Sequence, residues 1–96
     1  MKIEKTFEEV LALAKSGEAK YQYEYALMLE MGIGIEQDLN QAFTWYQKSA
    51  NQEHPKAQYN LAIFYALGKA GEKDLAQSKY WIKKAHDNGY SGASIF

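Results

Sequence analysis

The 96-residue chain has no cysteine, no arginine, one proline and no long apolar run. Without cysteine there is no disulfide, no thiolate nucleophile and no cysteine-ligated zinc or iron–sulfur centre. All eleven basic residues are lysine. The guanidinium fork that grips phosphate and guanine with paired hydrogen bonds is therefore missing, and nucleic acid is not expected as a partner. No stretch approaches the roughly 18 apolar residues of a membrane span. The opening Met1-Lys2-Ile3-Glu4-Lys5 lacks the apolar centre of a secretory signal. A reducing cytoplasm, away from membranes, is the expected setting.

What is present suits a folded domain. Hydrophobic residues make up 47% and charged residues 24% of the chain, which argues against disorder. The length allows one domain with one continuous core. Charge is uneven: residues 1–36 carry seven acids and four lysines, a net of −3, and residues 37–96 carry five acids and seven lysines, a net of +2. Two oppositely charged ends could orient a partner, although chance gives an imbalance of this size as readily.

A shift of 36 residues brings a long series of pairs into register without a gap. Tyr23 falls on Tyr59, Ala26 on Ala62, Gly32 on Gly68, and Asp38-Leu39 on Asp74-Leu75. Gln41 then falls on Gln77, Trp45 on Trp81 and Lys48 on Lys84. Both tryptophans of the chain occupy one phase, so the repeat is not accidental.

Each unit predicts two helices. The first, at residues 18–31, ends on Gly32-Ile33-Gly34, where glycine supplies a left-handed backbone. The second starts at Asp38 with Gln41 three residues on, a capping-box spacing that Asp74 and Gln77 repeat. The two aspartates read as helix caps rather than as a catalytic carboxylate pair. In the second unit the turn falls at Gly68 and Gly71. Pro55 is placed to open a helix at its first turn. Ahead of the first unit, Thr6 and Glu9 form another box, and Phe7, Val10, Leu11 and Ala14 make a helical stripe. Residues 3–16 thus read as a capping helix, followed by units at 17–52 and 53–88 and a partial third at 89–96. The expectation is an all-α protein of five helices and the stub of a sixth.

The pattern Ala57-x-Tyr59-x-Leu61-Ala62-x-x-Tyr65-x-x-Gly68, then Asp74, then Tyr80-Trp81-x-Lys83-Lys84-Ala85 resembles the Sel1-like repeat, a longer relative of the tetratricopeptide repeat. The first unit matches through Ala26, Gly32-x-Gly34-Ile35, Asp38, Ala42 and Trp45-Tyr46-x-Lys48-Ser49-Ala50. It departs where Gly34 becomes Ala70, the glycine moving to Gly71, and where Leu61 is Tyr25. The resemblance implies a right-handed α/α solenoid whose first helices line a concave face, and a role as an adaptor or scaffold.

Helical phase separates core from surface. Tyr21, Tyr25, Ala26 and Leu29 share an inward face, as do Ala57, Leu61, Ala62 and Tyr65. Lys20, Tyr23, Leu27, Glu30 and Met31 lie on a second face, repeated by Lys56, Tyr59, Ile63, Ala66 and Leu67. By analogy with tetratricopeptide repeats this second face lines the groove, and its apolar content marks a candidate partner site. A competing reading packs Tyr23 and Tyr59 between helices and buries Leu27, Met31, Ile63 and Leu67 against their neighbours. Trp45 and Trp81 read as structural wedges. On the last helix Phe43 and Ala50 give way to Lys79 and His86, the more polar face of a terminal repeat. Ile95-Phe96 either folds back over the last helix pair, the favoured monomeric arrangement, or packs on a second molecule to give a homodimer.

Nothing assembles chemistry. His54 and His86 stand 32 residues apart with no HExxH motif, so no metal or other cofactor is expected. No serine lies in a G-x-S-x-G elbow, and Gly32-x-Gly34 lacks the context of a phosphate loop. The functions left are a protein-binding adaptor or a small immunity protein that neutralises a bacterial toxin. An enzyme is not expected.

Overall fold

The computed structural model describes residues 5–91. Five α-helices follow one another: α1 Phe7–Lys15, α2 Ala19–Met31, α3 Leu39–Ala50, α4 Pro55–Leu67 and α5 Leu75–Asp87. There is no strand among the described residues. Each helix packs on the next in the chain, α1 on α2 through to α4 on α5, which is the zigzag of a helical repeat. Residues 92–96, most of the expected stub at 89–96, lie outside the described residues, and with them Ile95 and Phe96.

Local signals set the helix ends. Thr6 Oγ1 accepts from the Glu9 amide at 3.3 Å and Glu9 Oε1 accepts from the Thr6 amide at 2.8 Å, a complete capping box. Asp38 and Asp74 cap α3 and α5, each accepting at 3.0 Å from the amide of the glutamine three residues on. The reciprocal half of those boxes is not formed. The Asp38 and Asp74 amides are already donated to the carbonyls of Leu29 and Tyr65, so the Gln41 side chain turns to the Asp38 carboxylate instead. Each aspartate thus ties its helix to the preceding one as well as capping it.

The glycine turns also differ from expectation. Gly32 and Gly68 close α2 and α4 with φ of 71° and 66°. A Cβ at Gly68 would meet the Gly71 carbonyl oxygen at 3.0 Å, so space as well as φ requires glycine there. Gly34 has φ +72°, but neither Ala70 nor Gly71 takes a positive φ. The Ala70 Cβ excludes the conformation that Gly34 adopts, and the second loop follows another path rather than moving the same bend by one residue.

The core is built where helices meet through small side chains. Ala26, Ala42, Ala50, Ala57, Ala62 and Ala85 are fully buried and let the backbones approach closely. Larger side chains fill the spaces between, with Tyr25, Leu29, Tyr46, Leu61 and Phe64 all buried. The first unit has Tyr25 and Leu29 where the second has Leu61 and Tyr65, an exchange that conserves volume. Tyr25 meets Trp45 edge-on at 5.5 Å, and Tyr65 meets Phe43 edge-on at 5.4 Å. Trp45 and Trp81 are partly buried against the core.

Two buried glutamines stitch successive repeats. Gln58 Nε2 donates to the Ala50 carbonyl near the end of α3 at 3.1 Å, and its Oε1 accepts from Asn88 Nδ2 at 2.9 Å. Thirty-six residues earlier, Gln22 donates to the Ala14 carbonyl at 3.3 Å and accepts from Gln52 at 2.9 Å. Each amide thereby gives a helix-end carbonyl a second donor, beside the backbone amide of Gly17 or Glu53. Replacing Gln58 by leucine removes its hydrogen bonds to the Ala50 carbonyl and from Asn88, which keep only their other partners, the Glu53 amide and carboxylate. The expected cost is about 1–3 kcal/mol in urea unfolding; an unchanged midpoint would contradict the stitch.

Candidate functional site

The first helices, α2 and α4, run from an aromatic end to an aliphatic end. At the aromatic end a cleft of about 400 Å³ is lined by Lys20, Tyr23, Glu24, His54, Lys56 and Tyr90, among others. Tyr23 stacks on His54 with ring centroids 5.1 Å apart. Tyr59 lies against Tyr90 at 4.7 Å. His54 and Tyr90 are themselves 36 residues apart. The same contact is therefore made twice: a tyrosine in the second turn of a first helix covers the residue just ahead of the next first-helix position.

Of the residues that sequence assigned to the partner face, Lys20, Tyr23 and Lys56 are brought together in this cleft, and Tyr59 adjoins it through Tyr90. Leu27 and Ile63 are half-buried in mid-helix. Met31 and Leu67, in register at the aliphatic end, are 62% and 61% exposed. Tyr23 and Tyr59 each pack against a neighbouring ring and remain partly exposed.

Glu30 has a different environment. Its carboxylate accepts from the buried Tyr46 hydroxyl at 2.7 Å and is paired with the Lys69 ammonium. Asn60 donates to the same hydroxyl at 3.2 Å. Burial, followed by the hydrogen bond to Glu30, pushes the Tyr46 hydroxyl far above the ordinary tyrosine range. This network ties α2, α3, α4 and the loop after α4 together beneath the first-helix face. Glu30 contributes to holding that face, and its carboxylate is already satisfied by groups of the chain.

His54 was weighed in the sequence as a metal ligand and was not connected to the tyrosines. The register of His54 with Tyr90 was the available signal. His54 Nδ1 accepts from the Ala57 amide at 3.3 Å, which requires that nitrogen to be unprotonated. Burial, reinforced by the Lys56 charge, lowers its pKa below the ordinary histidine value. Among the described residues no group of three His, Asp or Glu side chains is placed to hold a metal. No helix among them is long and apolar enough to cross a membrane.

The turn before α4 contains one strained residue. Glu53 has φ 65°, in register with Gly17 at 103° and Gly89 at 93°. A side chain is kept where the neighbouring units use glycine, and it is used. Glu53 accepts from Asn88 at 3.0 Å and pairs with Lys84 at 3.1 Å, linking this turn to α5. The Asn88 hydrogen bond, then that from Lys84, holds its carboxyl below the usual range.

For His54, a folded pKa below the unfolded one means the neutral-histidine contribution is fully present above the unfolded value. It is lost as pH falls through that value toward the folded pKa. Stability should therefore decline as pH is lowered from about 7.5 to about 5.5, across the unperturbed histidine pKa of about 6.5. His54→Asn, which keeps a capping acceptor but does not titrate, should flatten that decline in thermal melts. An equally steep decline in the variant would remove His54 as the source.

Comparison with known proteins places this geometry. The Sel1 repeat model matches residues 19–54 and again 55–90. Among solved structures, a Sel1 repeat protein from Oxalobacter formigenes is 30% identical, with a TM-score of 0.87 over 91% of this chain and 35% of that one. A protective antigen of uropathogenic Escherichia coli strains, displaying an SLR fold, is also 30% identical, with a TM-score of 0.88 over 91% of this chain and 19% of that one. The chain thus spans about a third and a fifth of those two proteins. Comparison with curated proteins gives no match. With two adjoining repeats matched and the helical stack reproduced in solved relatives, the chain belongs to the Sel1 repeat family.

Proposed function

We propose that the chain binds a segment of another protein along the concave face formed by α2 and α4, acting as an adaptor or scaffold module and not as an enzyme. Sel1 repeat proteins generally mediate protein–protein interactions. The observation that carries the reading to this face is the exposure of Met31 and Leu67, two large apolar side chains at equivalent positions of successive repeats. Repeated exposure of this kind is costly in water and is relieved by a partner that spans both units.

The aromatic cleft at the other end of the same helices adds amphipathic surface. Tyr23, Tyr59 and Tyr90 offer ring faces and hydroxyls together, a combination enriched at binding centres. Lys20 and Lys56 flank it with positive charge, and Leu27 and Ile63 connect it to the aliphatic end. A bound segment would therefore place polar or acidic groups near the lysines and apolar groups over Met31 and Leu67.

The test is a double variant, Met31→Glu with Leu67→Glu. Both side chains are more than half exposed, so stability should change by no more than about 0.5 kcal/mol per site. Co-purification of the protein that the wild-type chain retains from its native cells should be lost. Retention of that protein by a folded double variant would move the binding surface elsewhere.

A further inference from the structure

We propose that Asn88 is a site of spontaneous deamidation, and that loss of its amide turns the joint between α4 and α5 from attractive to repulsive. Of the four asparagines, Asn40, Asn51, Asn60 and Asn88, only Asn88 precedes a glycine. Both residues of the Asn88-Gly89 pair are exposed. A Cβ at Gly89 would meet nothing within 4 Å, so no neighbouring group bars its nitrogen or water from the asparagine side chain.

The two equivalent joints of the stack show what depends on that amide. In the first, Gln52 donates to Gln22 Oε1 and to the Gly17 carbonyl, both at 2.9 Å. In the second, Asn88 stands in register with Gln52 and donates to Gln58 Oε1 at 2.9 Å and to the Glu53 carboxylate at 3.0 Å. Gln52 is followed by glutamate, and a glutamine would have to close a larger, slower-forming ring. The second joint alone combines a labile amide with a carboxylate facing it. Once the amide is lost, the new carboxylate meets the Glu53 carboxylate and Gln58 Oε1, neither of which can donate to it. Gln58 cannot compensate by turning over, because its Oε1 would then face the Ala50 carbonyl that its Nε2 now serves.

The reaction consumes only water. The Gly89 backbone nitrogen attacks Asn88 Cγ and closes a five-membered imide. The Cγ–Nδ2 bond breaks, and Nδ2 leaves as ammonia with the proton from the Gly89 amide. Water then adds to one of the two imide carbonyls and returns a proton to the nitrogen. Opening at Cγ gives aspartate; opening at the main-chain carbonyl gives isoaspartate, with the chain rerouted through Cγ. The fold restrains the first step. The Gly89 N–H is donated to the His86 carbonyl at 3.0 Å, and the leaving amide is held by its two acceptors. Ring closure needs both groups released, so it proceeds through local opening at the end of α5.

The test holds the full chain in warm, mildly alkaline buffer, with and without enough guanidinium chloride to unfold it. The tryptic peptide of residues 85–96, in which Asn88 is the one side-chain amide, is followed by chromatography and mass spectrometry. Aspartyl and isoaspartyl forms should appear in the native chain about tenfold more slowly than in the unfolded one, the worth of one or two net hydrogen bonds. The urea midpoint of the native chain should fall in step with conversion. Asn88→Gln, which installs the residue of the first joint, should keep its midpoint through the same incubation. Asn88→Asp should start with a lowered midpoint, and adding Glu53→Gln should recover most of the loss by giving the new carboxylate a donor. A native chain that does not convert while the unfolded chain does would overturn the proposal. So would a midpoint that stays constant as Asn88 converts, or Asn88→Asp as stable as wild type. An equal loss in wild type and Asn88→Gln would put the change at another residue and overturn it as well.

Discussion

The structure depends on how each first helix is fixed to the second helix before it, and a buried glutamine is central to that joint. Gln22 and Gln58 enter faces otherwise made of alanine and large apolar side chains, where an unpaired amide would be destabilising by several kcal/mol. Their hydrogen-bonding atoms are partnered, and the partners include the carbonyls that close α1 and α3. This fixes the height of one helix relative to the next, which apolar packing alone leaves loosely specified. The alanines set how closely the helices approach, and the glutamines set the register of that approach.

The first-helix face follows from this register. Because α2 is locked to α1 and α3, Tyr23 is carried to His54; because α4 is locked to α3 and α5, Tyr59 is carried to Tyr90. At the other end, Met31 and Leu67 stand just before the glycine turns and have nothing over them among the described residues. The Glu30–Tyr46–Lys69 network underpins the stretch between, so the candidate binding face rests on a buried polar scaffold.

Much of the fold was legible because its signals are local or periodic. Thr6, Asp38, Asp74 and Pro55 cap or open helices within a few residues, and such short-range chemistry can be read directly. The 36-residue register supplied helix number, order and pairing. Contacts bridging distant positions without repeating were not legible. Glu30 and Lys69 are 39 residues apart and have no counterpart pair in register, so nothing in the pattern sets Glu30 apart from a groove residue. Gln22 and Gln58 are in register, but a polar residue at a helical position does not disclose whether it is buried. For the left-handed backbone of Glu53 the signal was its register with Gly17 and Gly89, which a glutamate at that position masks.

The central claim is that the face of α2 and α4 receives a protein segment. The most direct measurement places a photo-crosslinking amino acid in the full chain, in native cells, at Met31 or Leu67, and at the exposed Ala12 or Thr44 as controls on second helices. The account predicts one crosslinked product common to positions 31 and 67 and absent from positions 12 and 44. Crosslinking that is equal at all four positions, or confined to the second helices, would contradict it.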